Sequence, residues 1–372
     1  MYYFYWIFFF YNAILALIHC HESRQEFMSK KKIIINNSSI VKQTNTELVR
    51  KHLRRVRTAT RNEIASLTGL SVATSGNILK EMLSRNEVSE YDLEEPNGGR
   101  PAHRYKYNEN YIQVACISIF SDTSIKSLAY TIFNSFGEVL TESNHVYETI
   151  TYDIVAAAAR KVIAEYPAVK SLVFSIPGKT YQGEIHVCDI PELVGMPLET
   201  QLKNDFDITL TVEAETDLIT LGYYKNHPEF DGKTIVTLLA PKNHYLGASI
   251  ISEGKILRGD HHMAGEVSFI SSGFKREDTL AQTSTPESLT TAVLLTTTAI
   301  ISIINPSLIL FTGTGMTNEI KQAVEDKCKT IVPQISIPGF KYISDWHPDY
   351  ITGAINMALH NTTSGLQLVS NI

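Results

Sequence analysis

Seven residues in the first third of the chain have the types and spacing for contacts with a nucleic-acid duplex: Arg61, Ser71, Ala73, Thr74, Asn77, Lys80 and Arg100. An asparagine can bond an adenine edge through both amide atoms, while serine and threonine reach phosphates or either base edge. Arginine and lysine neutralise phosphates. Such contacts need a rigid element that fits a groove, so the segments around them must supply one.

The pattern from 45 to 107 supplies it. Leu48, Val49, Leu53 and Val56 recur at helical spacing, which predicts a first helix whose other face carries Arg50, Lys51, Arg54 and Arg55. Thr60-Arg61-Asn62-Glu63 reads as a capping box, opening a short second helix with Ile64 and Leu67 on its apolar side. Gly69 stands where that helix must stop, and Ser71 caps a third helix with Ile78, Leu79, Met82 and Leu83 facing inward. Ser75 and Gly76 fit that third helix poorly, because a mid-helix glycine costs about 1 kcal/mol relative to alanine. Val88–Tyr91 and Arg104–Tyr107 alternate like strands around Pro96-Asn97-Gly98-Gly99-Arg100-Pro101, a hairpin whose tip carries one arginine suited to a narrow minor groove. Two short helices joined by a glycine turn, followed by such a wing, predict a winged helix-turn-helix. A small helical bundle with a solvated basic face is the alternative.

Charge divides the chain in the same way. The 372 residues carry a formal net charge of −6, yet Met28–Lys80 has eleven Lys/Arg against two acids and Tyr107–Ile372 has 17 against 29. A basic arm on an acidic body fits a nucleic-acid-binding unit joined to a second domain. With 44% hydrophobic residues the chain can bury a core, which excludes disordered and disulfide-scaffold classes. The four cysteines, Cys20, Cys116, Cys188 and Cys328, lie far apart; that argues against structural zinc and suits a reducing, cytoplasmic compartment. Residues 1–19 are almost continuously apolar without a basic leader or cleavage site, and residues 1–27 are expected to be a non-native extension, with Met28 the natural start. A membrane anchor is the other reading of that stretch.

Beyond residue 111, the β-rich runs Val114–Phe120, Leu128–Phe133, Ser171–Ile176, Ile208–Val212 and Thr234–Leu239 alternate with helical stretches such as Ile154–Glu165. This predicts α/β architecture with mixed sheets. The short motifs Ile176-Pro177-Gly178, Asp189-Ile190-Pro191, Gly254-Lys255-Ile256-Leu257-Arg258-Gly259, Ala264-Gly265-Glu266 and Gly313-Thr314-Gly315 follow in this order. Together with the Gly-Gly-Arg-Pro wing, they resemble the ROK family (repressors, open reading frames and kinases), in its repressor branch. The resemblance covers nearly all of 45–372. It implies a two-lobed, actin-like (ribonuclease H-like) fold over 108–372, behind a DNA-binding domain over 28–107, with a sugar cleft between the lobes.

The resemblance also implies where kinase chemistry would sit, and this chain departs from it there. The family's first phosphate loop falls on Ser118-Ile119-Phe120, without its carboxylate and glycine, and the second falls on Asn243-His244-Tyr245. Bulky side chains keep a phosphate from the backbone, so phosphoryl transfer is not expected and no cofactor is required. The family's cysteine-rich zinc knuckle is missing from 270–290, and no metal is expected. The family's catalytic aspartate falls on Glu215 and its sugar-binding asparagine on Ala214, while Glu266 is kept.

The cleft is therefore expected to hold Asp189, Glu213, Glu215, Asp217 and Glu266, for a sugar effector, for an amine-bearing ligand, or as vestigial surface acids. The function implied is a DNA-binding regulator of carbohydrate genes, a homodimer or homotetramer on a double-stranded operator, controlled by a sugar-like effector. A sugar kinase with an appended head is the alternative. A third reading is a regulator answering to a protein partner.

Overall fold

The computed structural model describes residues 38–92, 103–122, 125–242, 244–270, 275–280 and 283–363. Residues 1–27, Arg100 and the rest of the predicted wing tip lie outside them.

The N-terminal unit comprises α1 (Ser38–Val56), β1 (Thr58–Thr60), α2 (Arg61–Thr68), α3 (Val72–Ser84), β2 (Val88–Asp92) and β3 (His103–Tyr107). Local chemistry sets its corners. The Thr60 hydroxyl accepts from the Glu63 amide while the Glu63 carboxylate accepts from the Thr60 amide, a complete capping box. Gly69 closes α2 with φ of 71°, a left-handed conformation that suits glycine, and the Ser71 hydroxyl caps α3. β2 and β3 pair antiparallel from Val88↔Tyr107 to Asp92↔His103, with β1 on the other edge of β3. Val49, Leu53, Ile64, Leu79, Met82 and Tyr105 form its core.

Three expectations fail here. Arg50 and Arg54 do not lie on a solvated basic face: Arg50 grips the fully buried Glu87 and also Glu47, and Arg54 is half-buried, whereas Lys51 and Arg55 are exposed as expected. Leu67 points outward, 44% exposed, and Ala65 takes its place in the interior. Val56, at the end of α1, is exposed as well. The anomaly at Gly76 has a physical cause. A Cβ there would stand 2.9 Å from Nε of Arg61, so the small pair Ser75–Gly76, both buried, lets the Arg61 side chain of α2 lie across α3.

The body repeats one sheet plan twice. The first lobe holds β4 (Gln113–Asp122), β5 (Ile125–Phe133), β6 (Val139–Tyr147), α4 (Tyr152–Glu165), β7 (Val169–Ile176), the hairpin β8 (Gly178–Tyr181) and β9 (Glu184–Cys188), α5 (Leu198–Asp205) and β10 (Thr209–Ala214). Its main sheet runs β10-β7-β4-β5-β6, antiparallel among β4, β5 and β6 and parallel through β7 to β10. After α6 (Glu215–Asn226), the second lobe holds β11 (Ile235–Leu239), β12 (Gly247–Ser252), β13 (Lys255–Ile256), α7 (Arg276–Thr279), α8 (Pro286–Ile303), β14 (Leu308–Thr312), α9 (Asn318–Ile331) and β15 (Gly339–Tyr342), with α10 (His347–Thr363) at the end. Its order, β13-β12-β11-β14-β15, has the same pattern of antiparallel and parallel neighbours. The predicted body strands all form, and α/β architecture with mixed sheets holds.

α8 is long and apolar enough to cross a bilayer by length and composition alone, but Leu289, Val293, Ile300 and Ile301 belong to the second lobe's core. α6 and α10, each following the last strand of its lobe's sheet, cross where both carry glycine. A Cβ on Gly222 would stand 1.6 Å from the Asp349 carbonyl oxygen, and one on Gly353 would stand 1.9 Å from that of Leu218. The N-terminal unit meets the body at the β5–β6 turn, where Arg57 pairs with Glu138 at 2.7 Å and lies 4.6 Å over the Phe136 ring.

Candidate functional site

Two faces of the molecule gather the predicted residues. On the N-terminal unit, the α2–turn–α3 corner leaves Arg61, Ser71, Ala73, Asn77 and Lys80 exposed, with Thr74 half-buried. Thr74 and Ser71 bond each other through their hydroxyls at 2.8 Å, so both are engaged in the cap. The outer surface of α3 thus presents Asn77 and Lys80 beside the small apolar side chains of Val72 and Ala73, and the body does not cover it.

In the body, the acids expected in one cleft divide between two cavities. The inner one, about 210 Å³, lies between the lobes and is lined by Asp189, Glu215 and Glu266 together with His244, Tyr245 and Arg276. The outer one, about 440 Å³, is lined by Glu213 and Asp217 with Lys179, Arg258, Lys203 and His262. Glu213 and Asp217 do not offer free carboxylates. One Arg258 nitrogen reaches both oxygens of Glu213 at 2.7 Å, and Lys179 reaches Asp217 at 3.0 Å. Burial raises the Glu213 carboxyl and Arg258 opposes that shift. His261 and His262, which adjoin Glu266 in sequence, pack instead on the ring of Tyr181 at 5.3 and 5.7 Å.

The inner cavity is organised by Arg276, a residue that sequence reasoning passed over. Its Nη2 donates to Oδ1 of Asp189 at 3.0 Å, its Nε donates to the Ser268 hydroxyl at 2.9 Å, and Oε1 of Glu266 stands 3.8 Å from Nε. The guanidinium carbon lies 3.5 Å from the centroid of the Tyr245 ring. The Ser268 hydroxyl in turn donates to Glu266. His244 Nδ1 lies 3.7 Å from the other oxygen of Asp189. Burial pushes the Asp189 carboxyl up to about 6 against the pull of Arg276 and His244. Glu215, at the start of α6, faces this cavity with no ion pair to a cation among the described residues. Burial and the nearby charge of Asp189 push it up to about 7.

The residues present do not fit a nucleotide phosphate. The Ser118 hydroxyl, where the first phosphate loop would begin, is bonded to Oη of Tyr350. Phe120 and Trp346 pack on Tyr350 with centroids 6.0 and 5.7 Å away, and both line the inner cavity. Tyr245, at the second loop, is held under Arg276. Among the described residues no group of three His, Cys, Asp or Glu side chains could hold a metal ion.

Kinases and regulators both occur among proteins with this two-lobed plan. No protein-family profile matches the chain. In sequence it is similar to the xylose repressor of Caldicellulosiruptor bescii, 23% identical over 252 residues, spanning 65% of this chain and 62% of that one. It is also similar to a putative xylose repressor of another Caldicellulosiruptor strain, at 24% over 253 residues, 64% of this chain and 61% of that one. The matched stretch thus covers less than two thirds of either relative's length.

Among solved structures, a ROK family transcriptional regulator, a homologue of the E. coli Mlc protein, superposes with a TM-score of 0.62 at 17% identity, covering 87% of this chain and 98% of that one. A putative N-acetylmannosamine kinase from Listeria monocytogenes (TM-score 0.54, 14% identity) and a ROK hexokinase from Thermus thermophilus (0.52, 14%) each cover 68% of this chain and 100% of their own. The body therefore has the α/β mixed-sheet, actin-like fold of ROK proteins, and the chain resembles the repressor branch of that family, as its motifs imply.

Proposed function

We propose that the chain is a DNA-binding transcriptional regulator, a repressor of genes for carbohydrate uptake or use, controlled by a sugar-like effector and without kinase activity. In this reading residues 28–107 are a winged helix-turn-helix, α3 enters the major groove, and residues 108–372 bind the effector and assemble a homodimer or homotetramer in the cytoplasm. Arg61, Ser71, Ala73, Thr74, Asn77 and Lys80 face a double-stranded operator, and Arg100 serves its minor groove. The observation that carries the proposal is the α2–turn–α3 corner itself, capped at both ends and uncovered on the α3 face where those side chains stand. The names of the sequence relatives support it.

Of the five acids, Asp189, Glu215 and Glu266 remain as effector ligands. Glu213 and Asp217 line the outer cavity, each paired with its own cation. A gel-shift against the DNA upstream of its own gene tests the proposal at a stated salt concentration. Preference over random duplex at physiological ionic strength is expected, and no preference rejects it. Arg100→Ala should weaken operator binding, whereas Glu266→Ala should leave it intact and abolish the response to sugar.

One observation favours the alternative of a sugar kinase with an appended head: Glu215 faces the cavity with its carboxyl pushed up to about 7, near where a general base works best. Sugar-dependent ATP turnover that disappears in Glu215→Gln would establish it.

A further inference from the structure

The inner cavity already contains a cation, and it belongs to the chain. Asp189 comes from the first lobe, and Glu266 and Arg276 from the second, so the contact of Arg276 with Asp189 runs across the cleft. The Arg276 side chain is 13% exposed and uses both its edge and its face, with the edge on Asp189 and Ser268 and the face on Tyr245. Guanidinium geometry suits this arrangement where a lysine ammonium does not.

The charges decide what else can enter. A ligand bearing an ammonium would find Asp189 and Glu266 already matched by a guanidinium that repels it, and the remaining carboxyl, Glu215, pushed toward its neutral form by burial. An anionic ligand would share the cavity with Asp189, Glu215 and Glu266 against the single guanidinium of Arg276. An uncharged polyol meets neither penalty, because each carboxylate keeps lone pairs for hydroxyl donors and the guanidinium keeps N–H groups for hydroxyl acceptors.

We propose that Arg276 is a specificity-determining residue: by filling the cationic place between Asp189 and Glu266, it clasps the two lobes and restricts the cleft to uncharged polyols. The selector role rests on the effector reading above; the clasp does not.

The test compares D-glucose with D-glucosamine, which differ at one group, by titration calorimetry at a pH where the amine is protonated. Wild type should prefer glucose by about tenfold or more, Arg276→Gln should shift that ratio toward glucosamine by about tenfold, and Arg276→Lys should keep the wild-type order. Wild type binding glucosamine as well as glucose, or an unchanged ratio in Arg276→Gln, overturns the selector. Should Arg276→Gln fail to fold, Asp189→Asn carries the same test, since freeing the guanidinium should turn the cleft against glucosamine still further; an unchanged ratio there overturns the selector.

Hydrogen exchange without ligand separates the two failures. Faster exchange at 189–193 and 265–270 in Arg276→Gln is expected, and unchanged exchange overturns the clasp. If neither sugar binds any of the proteins, the effector reading and the selector fall together, and exchange alone decides the clasp.

Discussion

Arg50 in the N-terminal unit and Arg276 in the cleft face the same electrostatic problem in opposite surroundings. Each stands between two acids from separate parts of the chain: Glu47 and Glu87 for Arg50, Asp189 and Glu266 for Arg276. Around Arg50 both partners belong to the N-terminal unit, with Glu87 fully buried and Glu47 at the edge, and Tyr107 adds a further bond to Glu87 at 3.3 Å. Around Arg276 the partners belong to two lobes, and a cavity of about 210 Å³ adjoins them. An ion pair sealed by packing can only hold structure together. One beside a void can exchange its partners for a ligand's groups.

Four measurements would break or sharpen this contrast. Arg50→Ala should be the most damaging, because it strands Glu87 fully buried without its main cation. A loss of roughly 3–5 kcal/mol is expected, read as loss of the N-terminal unit's cooperative melting. If it matters no more than Arg276→Gln, the contrast fails.

Next comes pH. Glu215 is pushed up from 4.5 to about 7 in the folded chain, so the folded state holds a proton that the unfolded state releases. Its contribution is therefore least unfavourable below about pH 4.5. It should lower body stability as pH rises to 7, by up to about 3 kcal/mol, and Glu215→Gln should flatten that slope in denaturant titrations. A profile identical to wild type would mean that Glu215 is solvated rather than held in the cavity.

Arg276→Gln should lower body stability by about 1–2 kcal/mol, less than Arg50→Ala, because the carboxylates it leaves adjoin a cavity and the glutamine amide can still donate to one of them. A much larger loss would make Arg276 a packed staple like Arg50. Lys80→Ala should leave stability within about 0.5 kcal/mol of wild type while reducing the salt dependence of DNA binding by about one phosphate contact. An unchanged salt slope would remove Lys80 from the interface.

What the sequence disclosed follows the range of the interactions. The capping box at Thr60–Glu63, the stop at Gly69 and the cap at Ser71 are contacts within four residues, and each forms as its residue types predict. The burial of Arg50 depends on Glu87, 37 positions away, and helical periodicity carries no trace of that partner. Leu67 shows the same limit from the other side: its type favours the interior, but Ile64 and Ala65 already fill the face of a helix only eight residues long.

The division of the acids was partly legible. Glu215 and Asp217 stand two apart on α6, and positions i and i+2 of a helix point to different sides, so one cavity could not readily take both. Arg276 also left a faint signal. Only three arginines occur after Tyr107, and arginine suits buried carboxylate pairs better than lysine; two of them, Arg258 and Arg276, hold acids of the first lobe. Which acid each one meets depends on how the lobes close, and no local pattern encodes that.

The contact between α6 and α10 leaves no room for a side chain. With Gly222 and Gly353 set backbone against backbone, a methyl group at either position would overlap the facing main chain and push the helices apart. α6 begins at Glu215, and α10 begins beside Trp346, with both residues on the inner cavity. An alanine at either glycine should therefore displace the two helix starts that border this cavity.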